Sequence, residues 1–252
     1  MAHPLSTAYA NKSEIYDSAR PSYPQEAVLF IQSQLDLSQG LPVLDVGSGT
    51  GILTRQLAVT GMPMIGIEPD AHMLAKAKAH TEQPNASYRF GTAEQLGVAP
   101  HSVAALVCGQ SFHWFEPASA QAEFRRVLAT DNPVFLIWNI RNPDCDEFHR
   151  AYEQLLNDAF ERYAETLQID ETLESRVQQF FSGPYEERTF HNSQHLSESG
   201  LLERTLSCSY AAQPGTLEYR TASNALNALY QEYQQNGLVS LNYQTRVVYG
   251  HI

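Results

Sequence analysis

The sequence predicts an α/β protein built on a Rossmann-like, doubly wound sheet of seven strands, mostly parallel, with helices on both faces. Short apolar runs alternate with helical patterns between residues 43 and 138, which is the order that gives parallel strands joined by right-handed crossovers. A glycine-rich turn joins the first strand to its helix. Residues 239–249 alternate apolar and polar side chains, so they predict an antiparallel C-terminal strand at the edge of the sheet.

The composition is that of one folded domain spanning residues 1–252. Of its 252 residues, 43% are hydrophobic, and 16 Lys and Arg stand against 28 Asp and Glu. The resulting net charge of −12 repels phosphate backbones, so we expect no nucleic-acid partner. The chain shows neither a basic leader followed by an apolar stretch nor an apolar run of ~20 residues that would span a membrane.

The three cysteines of the chain form no C-x-x-C pair. This pattern favours free thiols in a reducing compartment and predicts no metal site. We therefore expect a cytoplasmic protein. We also expect no membrane partner, and a monomer or a homodimer.

The glycine-rich turn follows the apolar run Val43–Val46 and contains Gly47, Gly49 and Gly51. A strand that turns through glycines into a helix presents backbone N–H groups and a helix N-terminus at the carboxyl edge of the sheet, where nucleotide-like ligands bind. A dinucleotide fingerprint, G-x-G-x-x-G, would place its third glycine at position 52, but that residue is Ile52. The spacing therefore argues against an NAD(P)-dependent oxidoreductase.

A second nucleotide signal follows the next apolar run, residues 62–67. The run ends in Glu68, 21 residues after Gly47. An acid at the end of the second strand is placed to accept hydrogen bonds from both hydroxyls of a ribose. The glycine turn and this acid together favour a nucleoside-containing ligand over a purely structural turn.

Taken in order, these motifs resemble those of the class I S-adenosylmethionine (SAM) dependent methyltransferases. The segments that carry the resemblance are Asp45 with the glycine turn, residues 66–70, residues 91–96, residues 110–115 and residues 138–141. Residues 16–24, 207–210 and 243–249 resemble the small-molecule subgroup similar to trans-aconitate methyltransferase. One position departs from the family pattern: Ala104 stands early in the fourth strand, where the family usually carries an acid.

The resemblance implies SAM as the cofactor, and it implies site residues position by position. The cofactor site would comprise Arg20, Asp45, Gly47, Ser48, Gly49, Gly51, Glu68, Pro69, Ala93, Glu94 and Gln110. The acceptor pocket would comprise Tyr16, Tyr23, His113, Trp114, Asn139 and Arg141.

His113 is the candidate catalytic residue, because it lies in the loop after the fourth strand and a histidine suits general-base chemistry near neutral pH. Methyl transfer is an in-line displacement that depends chiefly on positioning, and a carboxylate acceptor needs no base. We favour the alternative in which His113 and Trp114 only wall the pocket.

Two segments are expected to cover the site. Residues 1–24 form an N-terminal lid, for which a loop packed on the core is an equal alternative. Residues 142–184 form a helical cap inserted after strand five, because residues 147–163 and 173–181 show helical spacing; a plain helical decoration competes with this interpretation. A short strand is expected at residues 189–191.

The favoured function is methylation of a small molecule, with an organic acid carboxylate oxygen as the acceptor. A non-catalytic or regulatory SAM-binding protein is the alternative, since binding and catalysis would share nearly all of these residues. An NAD(P)-dependent oxidoreductase is the weaker alternative, because of Ile52.

Overall fold

The computed structural model describes residues 19–129, 132–181 and 183–252, and it confirms the predicted α/β class. The described residues form seven strands and eight α-helices. The strands are β1 (Val43–Val46), β2 (Met64–Glu68), β3 (Ala86–Phe90), β4 (Ala105–Gly109), β5 (Val134–Arg141), β6 (Tyr185–Leu196) and β7 (Val239–Gly250). The helices are α1 (Gln25–Ser33), α2 (Ile52–Val59), α3 (Ala71–His80), α4 (Pro117–Val127), α5 (Glu147–Ala159), α6 (Tyr163–Phe181), α7 (Glu198–Leu206) and α8 (Leu217–Tyr233).

The strands of the described chain make one sheet in the order β3-β2-β1-β4-β5-β7-β6. Strands β1 to β5 pair in parallel, and β7 pairs antiparallel with both β5 and β6. The last strand is therefore antiparallel, as predicted, but it is inserted between β5 and β6, not placed at the edge. The edge belongs to β6, whose mostly exposed, charged face suits an edge strand.

Helices cover both faces of the sheet because successive strand residues point to opposite sides. Val43 packs in a cluster with residues of α1 and α2, whereas its neighbour Leu44 packs with residues of α4 and α6. Val177 and Phe180 of α6 are buried in this second cluster, so α6 belongs to the layer that covers the sheet.

A third hydrophobic cluster lies beyond the end of β5. There β6 and β7 continue pairing from Asn192–Tyr243 to Leu196–Val239. Onto this extension pack α5, α7 and α8, through Tyr152, Leu201, Leu226 and other residues. The helices at the place of the predicted cap thus come from two segments: α5 from the predicted insertion at 142–184, and α7 and α8 from the connection between β6 and β7.

The end of the predicted lid is fastened to the sheet. The side-chain amides of Asn139 and Asn192 both donate to the carbonyl of Ser22, at 3.3 and 2.7 Å, and Gln56 exchanges two hydrogen bonds with the backbone of Tyr23. Tyr16 and the rest of the lid segment up to residue 18 lie outside the described residues. In the part of the chain that is described, no helix has both the length and the apolar character that crossing a bilayer requires.

Candidate functional site

A cleft of about 1760 Å³, counting its open mouth, lies at the carboxyl ends of the parallel strands. It is bounded by the turn after β1, the end of β2, the loops after β3 and β4, the end of β5, the chain from 20 to 23, and the turn after α7. The sequence-predicted residues that line it are Arg20, Tyr23, Asp45, Gly47, Ser48, Gly49, Glu68, Pro69, Ala93, Glu94, Gln110, His113, Trp114 and Asn139. The structure therefore brings together nearly all of the expected cofactor and acceptor residues.

The three glycines of the turn have different roles. All three have positive φ angles, of 71°, 56° and 85°. A Cβ on Gly47 would lie 2.6 Å from the Cβ of Ser111, and a Cβ on Gly51 would overlap the hydroxyl of Tyr88. A Cβ on Gly49 would meet nothing within 4 Å. Gly49 borders the cleft, whereas Gly51 does not line it and is required by its packing against Tyr88.

Asp45 sits beneath this turn and is fully buried. Its Oδ2 accepts a hydrogen bond of 2.6 Å from the hydroxyl of Thr54. Its Oδ1 is buried and has no hydrogen-bond partner among the described residues. Burial raises the pKa of Asp45 to about 7. A cationic or N–H donor from a ligand in the cleft would satisfy this oxygen.

Glu68 is held in place by backbone amides. Its Oε1 accepts from the N–H of Asp70 and its Oε2 accepts from the N–H of Gly49, both at 2.8 Å. Burial raises the pKa of Glu68 to about 7 despite these hydrogen bonds. Each carboxylate oxygen keeps a further lone pair, so the oriented group has room for two hydroxyl donors.

The loop after β4 forms the opposite wall. Gln110 has a φ of 56° and donates through its side-chain amide to the carbonyl of Asn139, at 3.2 Å. Glu94, from the loop after β3, accepts from the N–H of Glu116 at 3.1 Å. These contacts position side chains from the loops after β3 and β4 and from the end of β5 around one cleft.

His113 and Trp114 lie side by side in this wall, with ring centroids 4.8 Å apart. Burial, together with the nearby Arg176 guanidinium, lowers the pKa of His113 to about 4. The imidazole is therefore neutral at physiological pH and is a weak proton acceptor. This favours the interpretation in which His113 walls the pocket.

Arg141 does not line the cleft. It donates to the Tyr163 hydroxyl at 2.6 Å and pairs with Glu153 at 3.4 Å, and its guanidinium lies 5.6 Å from the centre of the Tyr152 ring. The prediction that Arg141 lines the acceptor pocket is therefore corrected. It stands at the end of β5, where α5 supplies a carboxylate that turns the side chain into the cap.

The last turn of α7 and the turn after it contribute residues that the motif analysis did not place in the site. Arg204, Cys208, Ser209 and Tyr210 all line the cleft, together with Trp138 of β5. Arg20 is close to them, because its guanidinium donates to the carbonyl of Ser207 at 3.4 Å. The only signal for this region in the sequence was the resemblance of residues 207–210 to the small-molecule subgroup.

A cluster of Cys145, Asp146 and His149 has its potential ligand atoms within 4.8 Å of one another. Asp146 caps α5 by accepting from the backbone N–H of His149, and it also contacts the Nδ1 of that residue at 2.7 Å. The Nε2 of His149 accepts from the N–H of Asn242. Both ring nitrogens are engaged, so the cluster serves helix capping and packing.

Comparison with known proteins agrees with this geometry. Residues 44–135 match the family of methyltransferase domains. An uncharacterised methyltransferase of Mycobacterium tuberculosis is 34% identical over 138 residues, which are 55% of this chain and 54% of the relative. A second, from Schizosaccharomyces pombe, is 34% identical over 128 residues, half of each chain. The chain thus matches only about half the length of these curated relatives.

Solved structures share the fold over most of the chain. A protein from Anaeromyxobacter dehalogenans, named as a type II methyltransferase, superposes with a TM-score of 0.65 at 19% identity and covers 92% of this chain and 97% of its own. A Bacillus protein named YcgJ gives a TM-score of 0.54 at 17% identity over 90% of this chain and 98% of its own.

Residues 44–135 thus match a methyltransferase domain, and this stretch contains the glycine turn, Asp45, Glu68 and the loops after β3 and β4.

Proposed function

We propose that this protein is a SAM-dependent methyltransferase that acts on a small molecule, and that a carboxylate oxygen of an organic acid is the methyl acceptor. The observation that carries the proposal is the arrangement of Asp45 and Glu68 around Gly49, in the cleft of a methyltransferase domain. The finer assignment to the subgroup similar to trans-aconitate methyltransferase is part of this proposal and rests on the N-terminal and C-terminal motifs.

The residues of the cleft fit the cofactor. The unpartnered Oδ1 of Asp45 suits an ammonium group, and the oriented Glu68 carboxylate suits ribose hydroxyls. The open face of Gly49 lets a ligand approach the backbone. Pro69, Ala93 and Glu94 are expected to frame the base.

The chemistry asks little of the protein beyond positioning. When bound, SAM supplies an electrophilic methyl group, whose transfer to a carboxylate oxygen yields a methyl ester and S-adenosylhomocysteine without loss of a proton. Aromatic side chains and the tied-down segment 20–23 line the cleft, so a bound cofactor and acceptor would displace water from the reacting atoms. A weakly basic His113 is compatible with an acceptor that is already an anion.

The first test is calorimetric titration with SAM, S-adenosylhomocysteine and NADH, followed by an assay of labelled methyl transfer to a panel of carboxylic acids, phenols and amines. Binding of the first two ligands and methyl transfer to an acid would support the proposal. Binding of NADH alone would overturn it, and cofactor binding with no transfer to any acceptor class would favour a regulatory SAM-binding protein.

The affinity for the nucleoside part of the cofactor should rise with pH. At pH 6 the buried Glu68, with a pKa of about 7, is largely protonated, and at pH 8 it is ionised and accepts from hydroxyls. We expect 5′-methylthioadenosine, which lacks the titrating amino acid part, to bind about tenfold more tightly at pH 8 than at pH 6. Calorimetry on Glu68→Gln should show no such change, whereas Asp45→Asn should keep it. A rise with pH that persists in Glu68→Gln would assign the effect to another group.

The pH profile of the reaction tests His113. Because its pKa is about 4, kcat with a carboxylate acceptor should be level between pH 6 and pH 8. We expect His113→Asn to keep kcat within about tenfold of the wild type, below the usual contribution of a general base. A loss of several hundred-fold, together with loss of an ionisation from the profile, would instead establish His113 as the base.

A further inference from the structure

Arg204 is a buried cation at the far end of the cleft. It lies in the last turn of α7 and is only 5% exposed. Its Nε donates to the Tyr243 hydroxyl at 3.0 Å, and its Nη1 contacts the Cys208 sulfur at 3.1 Å. No carboxylate of the described residues lies within ion-pair distance of it. A buried guanidinium without a carboxylate partner is costly, so a site of this kind favours an anion from outside the chain.

Two further donors line the same cleft. The indole N–H of Trp138 is buried and has no hydrogen-bond partner among the described residues. The buried hydroxyl of Tyr210 has none either, apart from the weakly accepting Cys208 sulfur beside it. Buried polar atoms are nearly always hydrogen-bonded in folded proteins. Trp138, Tyr210 and Arg204 therefore all present donors to a ligand in this cleft.

Cys208 shows how strongly positive this region is. Burial by itself would raise the pKa of the Cys208 thiol, but the guanidiniums of Arg20 and Arg204 outweigh it and lower the pKa to about 6. The guanidiniums of Arg20 and Arg204 thus make this part of the cleft strongly positive. A carboxylate is a better partner than a thiolate for a guanidinium, since it accepts shorter and paired N–H bonds.

We propose that Arg204, Tyr210 and Trp138 form a subsite that binds a carboxylate group of the methyl acceptor. This inference rests on the proposed function and assigns its acceptor end to the turn after α7 and to β5. A carboxylate is favoured because its single negative charge matches the single guanidinium of Arg204 and its two oxygens accept parallel N–H bonds. The aromatic rings of Tyr23, Trp114, Trp138 and Tyr210 line the cleft and suit an organic acid with a planar body.

The test is direct binding of matched anions and amides. Benzoate, phenylacetate and cinnamate are titrated by ligand-observed NMR against the full chain, each beside its neutral amide, with and without S-adenosylhomocysteine. We expect at least one acid to bind about tenfold or more tightly than its amide. Arg204→Gln should remove that preference, and Tyr210→Phe should weaken it by a few-fold. The surface variant Arg220→Gln, on the exposed side of α8, should leave it unchanged.

Cofactor binding separates the possible failures. If Arg204→Gln still binds S-adenosylhomocysteine, its fold is intact and its loss of acid binding is specific; if it does not fold, Tyr210→Phe decides the matter. Equal binding of every acid and its amide, or a preference that survives both variants, would overturn the subsite. Phenyl phosphate binding more tightly than all three acids would overturn the carboxylate assignment. Failure of the wild type to bind S-adenosylhomocysteine would instead count against the proposed function.

Discussion

Replacement of Gly51 by alanine should lower the free energy of unfolding by about 2 to 5 kcal/mol. Two costs add at this position. The residue has a φ of 85°, in the left-handed region that an L side chain occupies only at a cost of about 1–2 kcal/mol. The new methyl group would also overlap the hydroxyl end of the Tyr88 ring, which is held by a hydrogen bond of 2.9 Å to Thr81. Urea or guanidinium unfolding monitored by circular dichroism measures the loss.

Gly61→Ala is the matched control for this prediction. Gly61 also has a positive φ, of 93°, but a Cβ there would meet nothing within 4 Å. It should lose only the backbone cost of about 1–2 kcal/mol. Equal destabilisation of Gly51→Ala and Gly61→Ala would show that the contact with Tyr88 does not contribute to the loss of stability. A double-mutant cycle with Tyr88→Leu isolates the same contact, and we expect a coupling energy of about 1 kcal/mol or more.

Most of the parallel half of the fold could be predicted because β1, β2, β4 and most of β5 are buried on both faces. The run Val43–Val46 is apolar apart from Asp45. It is followed by a glycine turn and an amphipathic helix. Local signals of that kind specify element type well. Asp70 directly precedes α3, and its side chain accepts from the N–H groups of His72 and Met73, as an N-cap aspartate does.

The antiparallel half was harder to predict, because its edges are polar. The sequence indicated only residues 189–191 as a strand, whereas β6 runs over 12 residues. An edge strand with most of its side chains exposed lacks the apolar alternation that reveals a strand. The position of β7 between β5 and β6, and the packing of α5 against α8, depend on contacts between distant segments. No local pattern contains that information.

The candidate site, like the fold, has one part that the sequence predicts and one part that it does not. The proposed cofactor residues lie in short loops at the ends of predicted strands, so the topology itself brings Gly49, Glu68 and Gln110 to one cleft. The proposed acceptor end involves the helices beyond β5, where Arg141 is paired with Glu153 and Arg204, which the sequence analysis did not assign, lines the cleft. The local sequence does not show which of these two arginines has a carboxylate partner. Only the three-dimensional arrangement of the carboxylates distinguishes the paired arginine from the other.

Glu68→Ala should weaken the binding of S-adenosylhomocysteine by about 10- to 100-fold, equivalent to ~1–3 kcal/mol. The carboxylate is 5% exposed and is fixed by two backbone N–H groups, so it reaches the cleft already oriented. Its removal loses the expected hydroxyl contacts and also leaves the amides of Gly49 and Asp70 without their acceptors, which loosens the glycine turn. Calorimetric titration of wild type and variant at pH 8 gives the ratio of affinities.

Two comparisons separate ligand contact from loop damage. Glu82→Ala removes an exposed acid in the connection after α3 and should bind as the wild type does, which excludes a general effect of net charge. Glu68→Gln keeps the size of the side chain but not its charge, so it should be more stable than Glu68→Ala toward denaturant while still binding weakly. If Glu68→Gln instead bound S-adenosylhomocysteine with wild-type affinity at pH 8, the charge of Glu68 would be irrelevant to the cofactor. An unchanged affinity in Glu68→Ala would remove the ribose assignment altogether, and with it the main physical reason for reading this cleft as a SAM site.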